Sequence, residues 1–222
     1  MDLWDISTEK QFFIEALSHF ATPEKLFYSL KSGRFAYIPK EFDSEGQTLQ
    51  SRNTLIGNFT ETWAKNIFSP IARKHDLYAV NSVECPEIGL NKRSEADLAF
   101  CTTDSKMQKA ENIRIIFEIK MSIVSNYRFT EPSTVELIGD YKTHQGNPSL
   151  LRSDSMLKAI GKSINIRVSG IESLTIPIVI LGNSPITENY SHKVDFLKTA
   201  GVIQGFWSLN PEPTKSDFIK AA

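Results

Sequence analysis

Residues 113–121, Ile-Arg-Ile-Ile-Phe-Glu-Ile-Lys-Met, constrain the fold more than any other stretch of this chain. β-Branched and aromatic residues at this density and length predict a strand. Side chains alternate between the two faces of a strand, so Glu118 and Lys120 share a face, roughly 7 Å apart. A strand this apolar is typical of the centre of a sheet that is covered on both faces. Two charges near the end of such a strand need a partner or a function.

A second strand is predicted upstream, at residues 93–100, and the polar residues 102–112 have the length of a hairpin loop. Antiparallel pairing of the two strands would set Asp97 beside Glu118 and Lys120. Two carboxylates about 4 Å apart repel by roughly 4 kcal/mol at an effective dielectric constant of 20. A divalent cation bound between the two carboxylates would offset this repulsion. A small number of hard oxygen ligands, with positions left open for water and phosphate, suits Mg²⁺.

The pattern of Asp97 on one strand and Glu118-Ile119-Lys120 on the next resembles the PD-(D/E)XK nuclease superfamily. The Pro-Asp dipeptide that names the superfamily is absent, because Ala96 precedes Asp97. The resemblance implies that Asp97 and Glu118 hold Mg²⁺ together with the Ile119 carbonyl, and that Lys120 orients or deprotonates the attacking water. The motif is short and degenerate. Its alternative interpretation is an exposed Glu–Lys pair on a strand face, with Asp97 at a loop edge.

Hydrophobic periodicity around these strands predicts an α/β fold, with a mixed central β-sheet flanked by helices. The resemblance makes this a restriction-endonuclease-like core. We expect three segments: an N-terminal helical scaffold packed on the core (1–48), the nuclease core (49–210) and a loosely ordered tail (211–222). Within the core, we predict helices over 49–74, 151–167 and 191–200, and further strands over 77–85, 175–181 and 202–209. Residues 122–152 form a polar insertion expected to contact DNA, with a short helix near 136–141.

Glu61 lies off the apolar stripe of the helix predicted over 49–74. The superfamily often carries a Glu on the helix before the catalytic sheet, facing the metal site, and Glu61 matches that place. Glu61 is therefore a fourth candidate catalytic residue. The alternative is a solvated Glu61 that pairs with Lys65 four residues further along the helix.

Basic and amide side chains near the catalytic strand are candidates for contacts with phosphates and base edges. Residues 113–170 hold eight Lys or Arg against five Asp or Glu, so a positive excess accompanies this strand. Lys158 and Lys162 share one face of the helix over 151–167, of which Met156, Leu157, Ile160 and Ile164 are expected to point inward. The predicted DNA-contacting residues are Lys92, Arg93, Asn126, Arg128, Lys142, Gln145, Asn147, Arg152, Lys158 and Lys162. For any one of them, an exposed loop or turn without a partner is the alternative.

Composition bears on how the protein could bind nucleic acid and on the cellular compartment in which we expect it. The net charge of −1 argues against a protein that coats nucleic acid by bulk charge, although not against a locally positive cleft. The two cysteines, Cys85 and Cys101, are expected to be buried thiols in a reducing compartment. No apolar run is long enough to span a membrane, and the acidic residues near the start, such as Asp5 and Glu9, argue against a signal peptide. We therefore expect a cytoplasmic protein.

Within the superfamily, a compact core with a polar insertion is most similar to a type II restriction endonuclease. That resemblance implies a homodimer that cuts a short sequence in double-stranded DNA with Mg²⁺ and leaves 5′-phosphates. Two alternatives remain open. One is a nuclease of the same core that acts in repair, junction resolution or defence against phage without strict sequence choice. The other is a non-catalytic DNA-binding module, against which the intact set of Asp97, Glu118 and Lys120 argues.

Overall fold

The chain folds into five α-helices and ten strands over the residues that the structure, a computed structural model, describes: 4–19, 22–42, 51–212 and 219–221. The helices are α1 (Ile6–His19), α2 (Pro23–Leu26), α3 (Ser51–Arg73), α4 (Ser153–Ser169) and α5 (Glu188–Thr199). The strands are β1 (Tyr28–Leu30), β2 (Gly33–Phe35), β3 (Tyr78–Val83), β4 (Ala96–Cys101), β5 (Ile113–Ile119), β6 (Asn126–Thr130), β7 (Thr134–Gly139), β8 (Ile178–Gly182), β9 (Gly205–Ser208) and β10 (Ile219–Ala221).

The strands form a large mixed sheet and a small antiparallel sheet. The large sheet has six strands in the order β10-β9-β8-β5-β4-β3, with β3, β4 and β5 antiparallel and β5, β8, β9 and β10 parallel. The small sheet has four strands in the order β1-β2-β6-β7. The parallel steps from β5 to β8 and from β8 to β9 contain α4 and α5, as parallel strands require long connections.

The large sheet is covered on both faces, which explains the apolar character of β5. On one face, Ile116 belongs to a buried cluster that also contains Met156 of α4 and Val194 of α5. On the other face, Phe117 belongs to a cluster that contains Phe68 of α3. The alternation predicted along β5 is therefore present, and the mixed α/β fold with a central sheet between helices is confirmed.

The polar insertion predicted over residues 122–152 joins the N-terminal segment in the small sheet, since β6 pairs with both β2 and β7. Helix α1 packs on this sheet through a buried aromatic cluster that includes Phe13 and Tyr127. The buried carboxylate of Glu9 also binds the start of the insertion, accepting hydrogen bonds from Val124 N at 2.7 Å and Tyr127 Oη at 3.0 Å. Residues 1–48 are thus not a purely helical scaffold, and the predicted boundary at residue 48 separates strands of one sheet.

Two local predictions differ from the structure. The short helix expected near 136–141 is strand β7, because its β-branched residues pair with β6. The segment predicted as a loose tail contains β10, which pairs in parallel with β9. Residues 49 and 50 of the helix predicted over 49–74, and 213–218 and 222 of the predicted tail, lie outside the described residues.

Two further expectations concern the whole chain. In the described part of the structure, no helix combines the length and the apolar character that crossing a membrane requires. Cys85 and Cys101 are both buried free thiols, as expected from the sequence.

Candidate active site

Asp97 is the second residue of β4, and the pairing of β4 with β5 places it beside the end of the central strand β5. Leu98 lies opposite Phe117, which places Asp97 across from Glu118. Asp97 Oδ2 accepts a hydrogen bond from the backbone N–H of Ile119 at 2.8 Å. The predicted pairing of the two strands is therefore present, and it brings both carboxylates to one edge of the sheet.

Lys120 follows the last residue of β5 and turns its side chain toward Asp97. Its Nζ donates to Asp97 Oδ2 at 3.1 Å and lies 3.6 Å from Glu118 Oε2. The same ammonium donates to the backbone carbonyl of Ile119 at 2.9 Å. The carbonyl that was predicted as a third metal ligand is thus a hydrogen-bond acceptor for Lys120 in this structure.

Lys162 of α4 is the second ammonium in the site. Its Nζ lies 2.9 Å from Asp97 Oδ1 and 2.9 Å from Glu118 Oε1, so it bridges the two carboxylates. The sequence predicted Lys162 as a DNA contact that shares one helix face with Lys158. Only 20% of the Lys162 side chain is exposed, whereas Lys158 is exposed to solvent.

The position of Lys162 follows from the rotation of α4 about its axis. The residues predicted to point inward included Leu157 and Ile164, but these are 58% and 42% exposed. The helix instead buries Met156, Ala159, Ser163 and Ile166 against the sheet. Lys162 is three residues after Ala159 and next to Ser163, so it lies at the edge of the buried face. The small residues Ala159 and Ser163 were the signal that could have located it.

Burial controls the protonation of the two strand carboxylates. The Glu118 side chain is fully buried, and this burial, followed by the negative charge of Asp97, raises the pKa of Glu118 to about 7. Burial also acts on Asp97, but the Lys120 and Lys162 ammonium groups outweigh it and hold the pKa of Asp97 below its ordinary value. For Lys162, burial opposes the charged form, yet Glu118 and Asp97 together raise its pKa. At neutral pH, Asp97 therefore carries a full negative charge and Glu118 a partial one.

Glu61 of α3 joins this group from the other side. Its side chain is half-buried, and burial, followed by the charge of Asp97, raises its pKa to about 7. Its backbone carbonyl accepts a hydrogen bond from Asn81 Nδ2 of β3 at 3.2 Å. Glu61 is thus partly buried and shares the lining of a cavity with Asp97, as the prediction that it faces the site requires.

Two cavities meet at Glu61. The larger, of about 800 Å³, lies between the small sheet and the end of β5, and is lined by Glu61, Ile119 and Lys120. The smaller, of about 330 Å³, is lined by Glu61, Asp97 and Lys162. Lys120 lies in the wall of the larger cavity, and Asp97 and Lys162 lie in the wall of the smaller one. We call the two adjoining cavities the groove.

Five of the nine predicted DNA-contacting residues other than Lys162 line these cavities. Lys92 and Arg93 line the smaller cavity. Gln145, Asn147 and Arg152 line the larger one, although Gln145 also donates to Phe42 O at 2.7 Å and Arg152 pairs with Asp154 at 2.6 Å.

The remaining four lie elsewhere. Asn126 is fully buried and accepts a hydrogen bond from the backbone N–H of Tyr37 at 2.9 Å, so its carboxamide supports the fold. Arg128 pairs with Glu136 across the small sheet at 2.6 Å. Lys142 is exposed beside the ring of Tyr141, and Lys158 is exposed on α4. Among these four, the assignment of Asn126 as a DNA contact is wrong, because a fully buried amide cannot reach a base edge.

The residues that hold the backbone around Lys120 were not predicted from the sequence. The Lys120 N–H donates to Leu181 O of β8 at 2.7 Å, and the Lys120 carbonyl accepts from Ser149 Oγ at 2.6 Å. Asn183, which follows β8, receives a hydrogen bond from Ser122 N at 3.0 Å and returns one to Ser122 O at 2.6 Å. A polar residue directly after a buried strand that is parallel to β5 was the signal for this support.

The donor set at the end of β5 fits a hard divalent cation. Asp97, Glu118 and the Ile119 carbonyl offer oxygen atoms only, as Mg²⁺ prefers. Both Glu118 oxygens are buried without a well-oriented hydrogen-bond donor, although two ammonium groups lie within 3.6 Å. Within the described residues, no group of three or more His, Cys, Asp or Glu side chains is arranged to hold a metal ion. A cation here would thus bind two carboxylates, with a carbonyl and water completing its shell.

Comparison with known proteins found no relative of this chain. No family model matches the chain, and searches of curated proteins and of solved structures also gave no match. The resemblance to PD-(D/E)XK nucleases therefore depends on the residues of this site and on their arrangement.

Proposed function

We propose that this protein is a Mg²⁺-dependent endonuclease that hydrolyses phosphodiester bonds in double-stranded DNA at a short specific sequence, leaving 5′-phosphates, as type II restriction endonucleases do. The observation that carries the proposal is the convergence of Asp97, Glu118 and Lys120 at one sheet edge within a groove. An exposed Glu–Lys pair, the bland interpretation, is not consistent with a fully buried Glu118.

Each residue of the cluster has a role that its position supports. Asp97 and Glu118 would hold Mg²⁺, which would neutralise negative charge that develops on the phosphate. Lys120 lies at the groove with Nζ beside Asp97, where it can donate a hydrogen bond to a water and orient it toward phosphorus. Glu61 lines both cavities and has a pKa of about 7, which suits a group that accepts a proton near neutral pH.

The walls of the groove support nucleic acid as the substrate. Lys92 and Arg93 border the smaller cavity, where ammonium and guanidinium groups suit phosphate contacts. Asn147 and Arg152 border the larger cavity and carry the amide and guanidinium groups that read base edges. The homodimer and the cytoplasmic location implied by the sequence remain part of this proposal.

A second candidate is a nuclease of the same type without strict sequence choice, as in repair or junction resolution. Besides Lys162, four side chains predicted to contact DNA already serve the fold or pair with other protein groups. Asn126 binds Tyr37, Arg128 pairs with Glu136, Gln145 binds Phe42, and Arg152 pairs with Asp154. Fewer side chains are thereby left to read bases, which favours looser recognition.

One incubation tests both candidates. The protein is mixed with a DNA library of varied sequence and Mg²⁺, and the ends produced are sequenced, with Asp97→Asn as the inactive control. Ends at one short sequence support the restriction enzyme, and ends scattered over all sequences support the second candidate. DNA binding without any cleavage by the parent protein would contradict both and leave the non-catalytic module. Light scattering of the same sample measures whether the protein is a dimer.

A further inference from the structure

We propose that Lys162 is a tethered counter-ion that occupies the cation position between Asp97 and Glu118 in the metal-free protein, and that a divalent cation must displace it to bind. This inference rests on the proposed metal site and adds a residue from outside the strand motif. Lys162 would then lower the affinity of the site for a divalent cation, because the two compete for the same carboxylate oxygens.

The division of the carboxylate oxygens between two ammonium groups supports this role. Lys162 Nζ lies 2.9 Å from Asp97 Oδ1 and 2.9 Å from Glu118 Oε1. Lys120 uses the other oxygen of each carboxylate, at 3.1 Å from Asp97 Oδ2 and 3.6 Å from Glu118 Oε2. Of the two, Lys162 approaches both carboxylates equally, and its removal would free one oxygen on each.

A bound cation and the Lys162 ammonium would compete for the same two oxygens. Mg²⁺ binds oxygen ligands at about 2.0–2.1 Å and requires near-octahedral geometry. An ammonium held 2.9 Å from Asp97 Oδ1 and Glu118 Oε1 occupies the approach to them. The Lys162 ammonium and a divalent cation would also repel each other, and the repulsion grows as burial lowers the effective dielectric constant. Binding of Mg²⁺ through these oxygens therefore requires the Lys162 ammonium to leave.

The cavity beside the site can accommodate the Lys162 side chain once a cation displaces it. Its side chain is a flexible four-carbon stem with a single terminal charge, so it can change rotamer without moving α4. The cavity of about 330 Å³ that it lines also carries Lys92 and Arg93. A displaced Lys162 would add its charge to this basic wall, where the proposed function places a phosphate group.

The exposed lysine one turn earlier provides a matched control. Lys158 is on the same helix, carries the same charge and is exposed, and it lines neither cavity beside the site. A long-range effect of removing one positive charge from α4 should be similar for Lys158 and Lys162. An effect that depends on occupation of the cation position should be confined to Lys162.

The test is calorimetric titration of Mg²⁺ into the full-length, DNA-free protein, comparing the parent with Lys162→Met and Lys158→Met. Lys162→Met should bind Mg²⁺ on the order of tenfold more tightly than the parent, within the roughly 5–150-fold range typical of coupling between two ligands. Lys158→Met should bind with the affinity of the parent. If Lys162→Met destabilises the fold, Lys162→Gln, which keeps a neutral donor at the same place, should show the same increase.

The outcomes separate this inference from the function on which it rests. If the parent binds Mg²⁺ and neither Lys162 variant binds more tightly, the counter-ion role is wrong while the metal site stands. If no variant binds Mg²⁺ and the parent does not either, the proposed metal site fails and the inference fails with it. A second readout is the NMR signal of the Lys162 ε-methylene group, assigned by its loss in Lys162→Met. It should shift when Mg²⁺ is added to the parent, whereas the Lys158 signal should not.

Discussion

Replacing Glu118 by Gln should stabilise the metal-free protein at neutral and alkaline pH. The Glu118 side chain is fully buried, and its pKa is raised from 4.5 to about 7, first by burial and then by Asp97. Ionisation is therefore harder in the folded chain than in the unfolded one. Each pH unit between the two values lowers the free energy of unfolding by about 1.36 kcal/mol. Over the interval of about 2.5 pH units between these values, the loss is about 3 kcal/mol.

The direction of this effect fixes the pH window. Below pH 4.5, Glu118 is protonated in both states and costs nothing. Between pH 4.5 and about 7, the unfolded chain loses its proton first, so stability falls as pH rises, and above about 7 the loss is complete. Asp97 has a lowered pKa, so its stabilising contribution is lost only as pH falls below its ordinary value of 3.8, outside this window. Glu61 titrates in the same window in both proteins, so comparison with the variant removes most of its effect.

Urea unfolding of the parent and of Glu118→Gln at pH 4.5 and pH 8, with a chelator present, measures the effect. The stability of the variant relative to the parent should increase by about 3 kcal/mol between the two pH values. Glu111→Gln is the control, because the Glu111 side chain is 74% exposed and its removal should leave the pH dependence unchanged. Parallel pH curves for the parent and Glu118→Gln would refute the reasoning. Added Mg²⁺ should stabilise the parent and have a smaller effect on the variant.

Three further predictions concern DNA. Asp97→Asn should abolish cleavage in a gel assay while circular dichroism shows an intact fold; cleavage at the parent rate would mean that the site is misplaced. Lys120→Ala should slow single-turnover cleavage by roughly 10²–10⁴-fold, the usual range for general acid–base groups, with DNA affinity retained; a normal rate with lost affinity would make Lys120 a phosphate anchor. Lys92→Ala and Arg93→Ala should each reduce the slope of log K against log salt by about one, measured by fluorescence anisotropy; an unchanged slope would place both in solvent.

The strand part of the site could be predicted from the sequence because its information is local. Alternation along β5 assigns Glu118 to one face, and the short connection to β4 limits where Asp97 can lie. The long apolar stripe of α3 likewise located the helix that carries Glu61, and the helix continues through Pro70. In each case, the sequence pattern of one segment or one hairpin was sufficient for the prediction.

The rest of the structure depends on contacts between distant segments. Strands β1 and β2 have three residues each, and β2 pairs with β6 more than 90 residues away, so no local pattern indicates the small sheet. The orientation of α4 was predicted wrongly because large apolar residues were assumed to point inward. Leu157 and Ile164 are exposed, while the small residues Ala159 and Ser163 lie against the sheet. Small side chains allow a helix to approach a sheet closely, which hydrophobic periodicity alone does not record.

The arrangement of helices over the large sheet explains how one edge holds so many ionisable groups. Asp97 and Glu118 lie on the face that α4 covers, since the neighbouring residues on the same face of their strands pack into the cluster that contains α4. Lys162 reaches both carboxylates from that helix, whereas Glu61 comes from α3, which packs on the opposite face. A strand motif specifies only the acids and the adjacent Lys120. The helix that crosses above them specifies the opposing charge, and a buried pair of carboxylates without that charge would be strongly destabilising. The Lys162 ammonium therefore has two effects. It stabilises the buried carboxylates of Asp97 and Glu118 in the metal-free protein, and it is the group with which a cation has to compete.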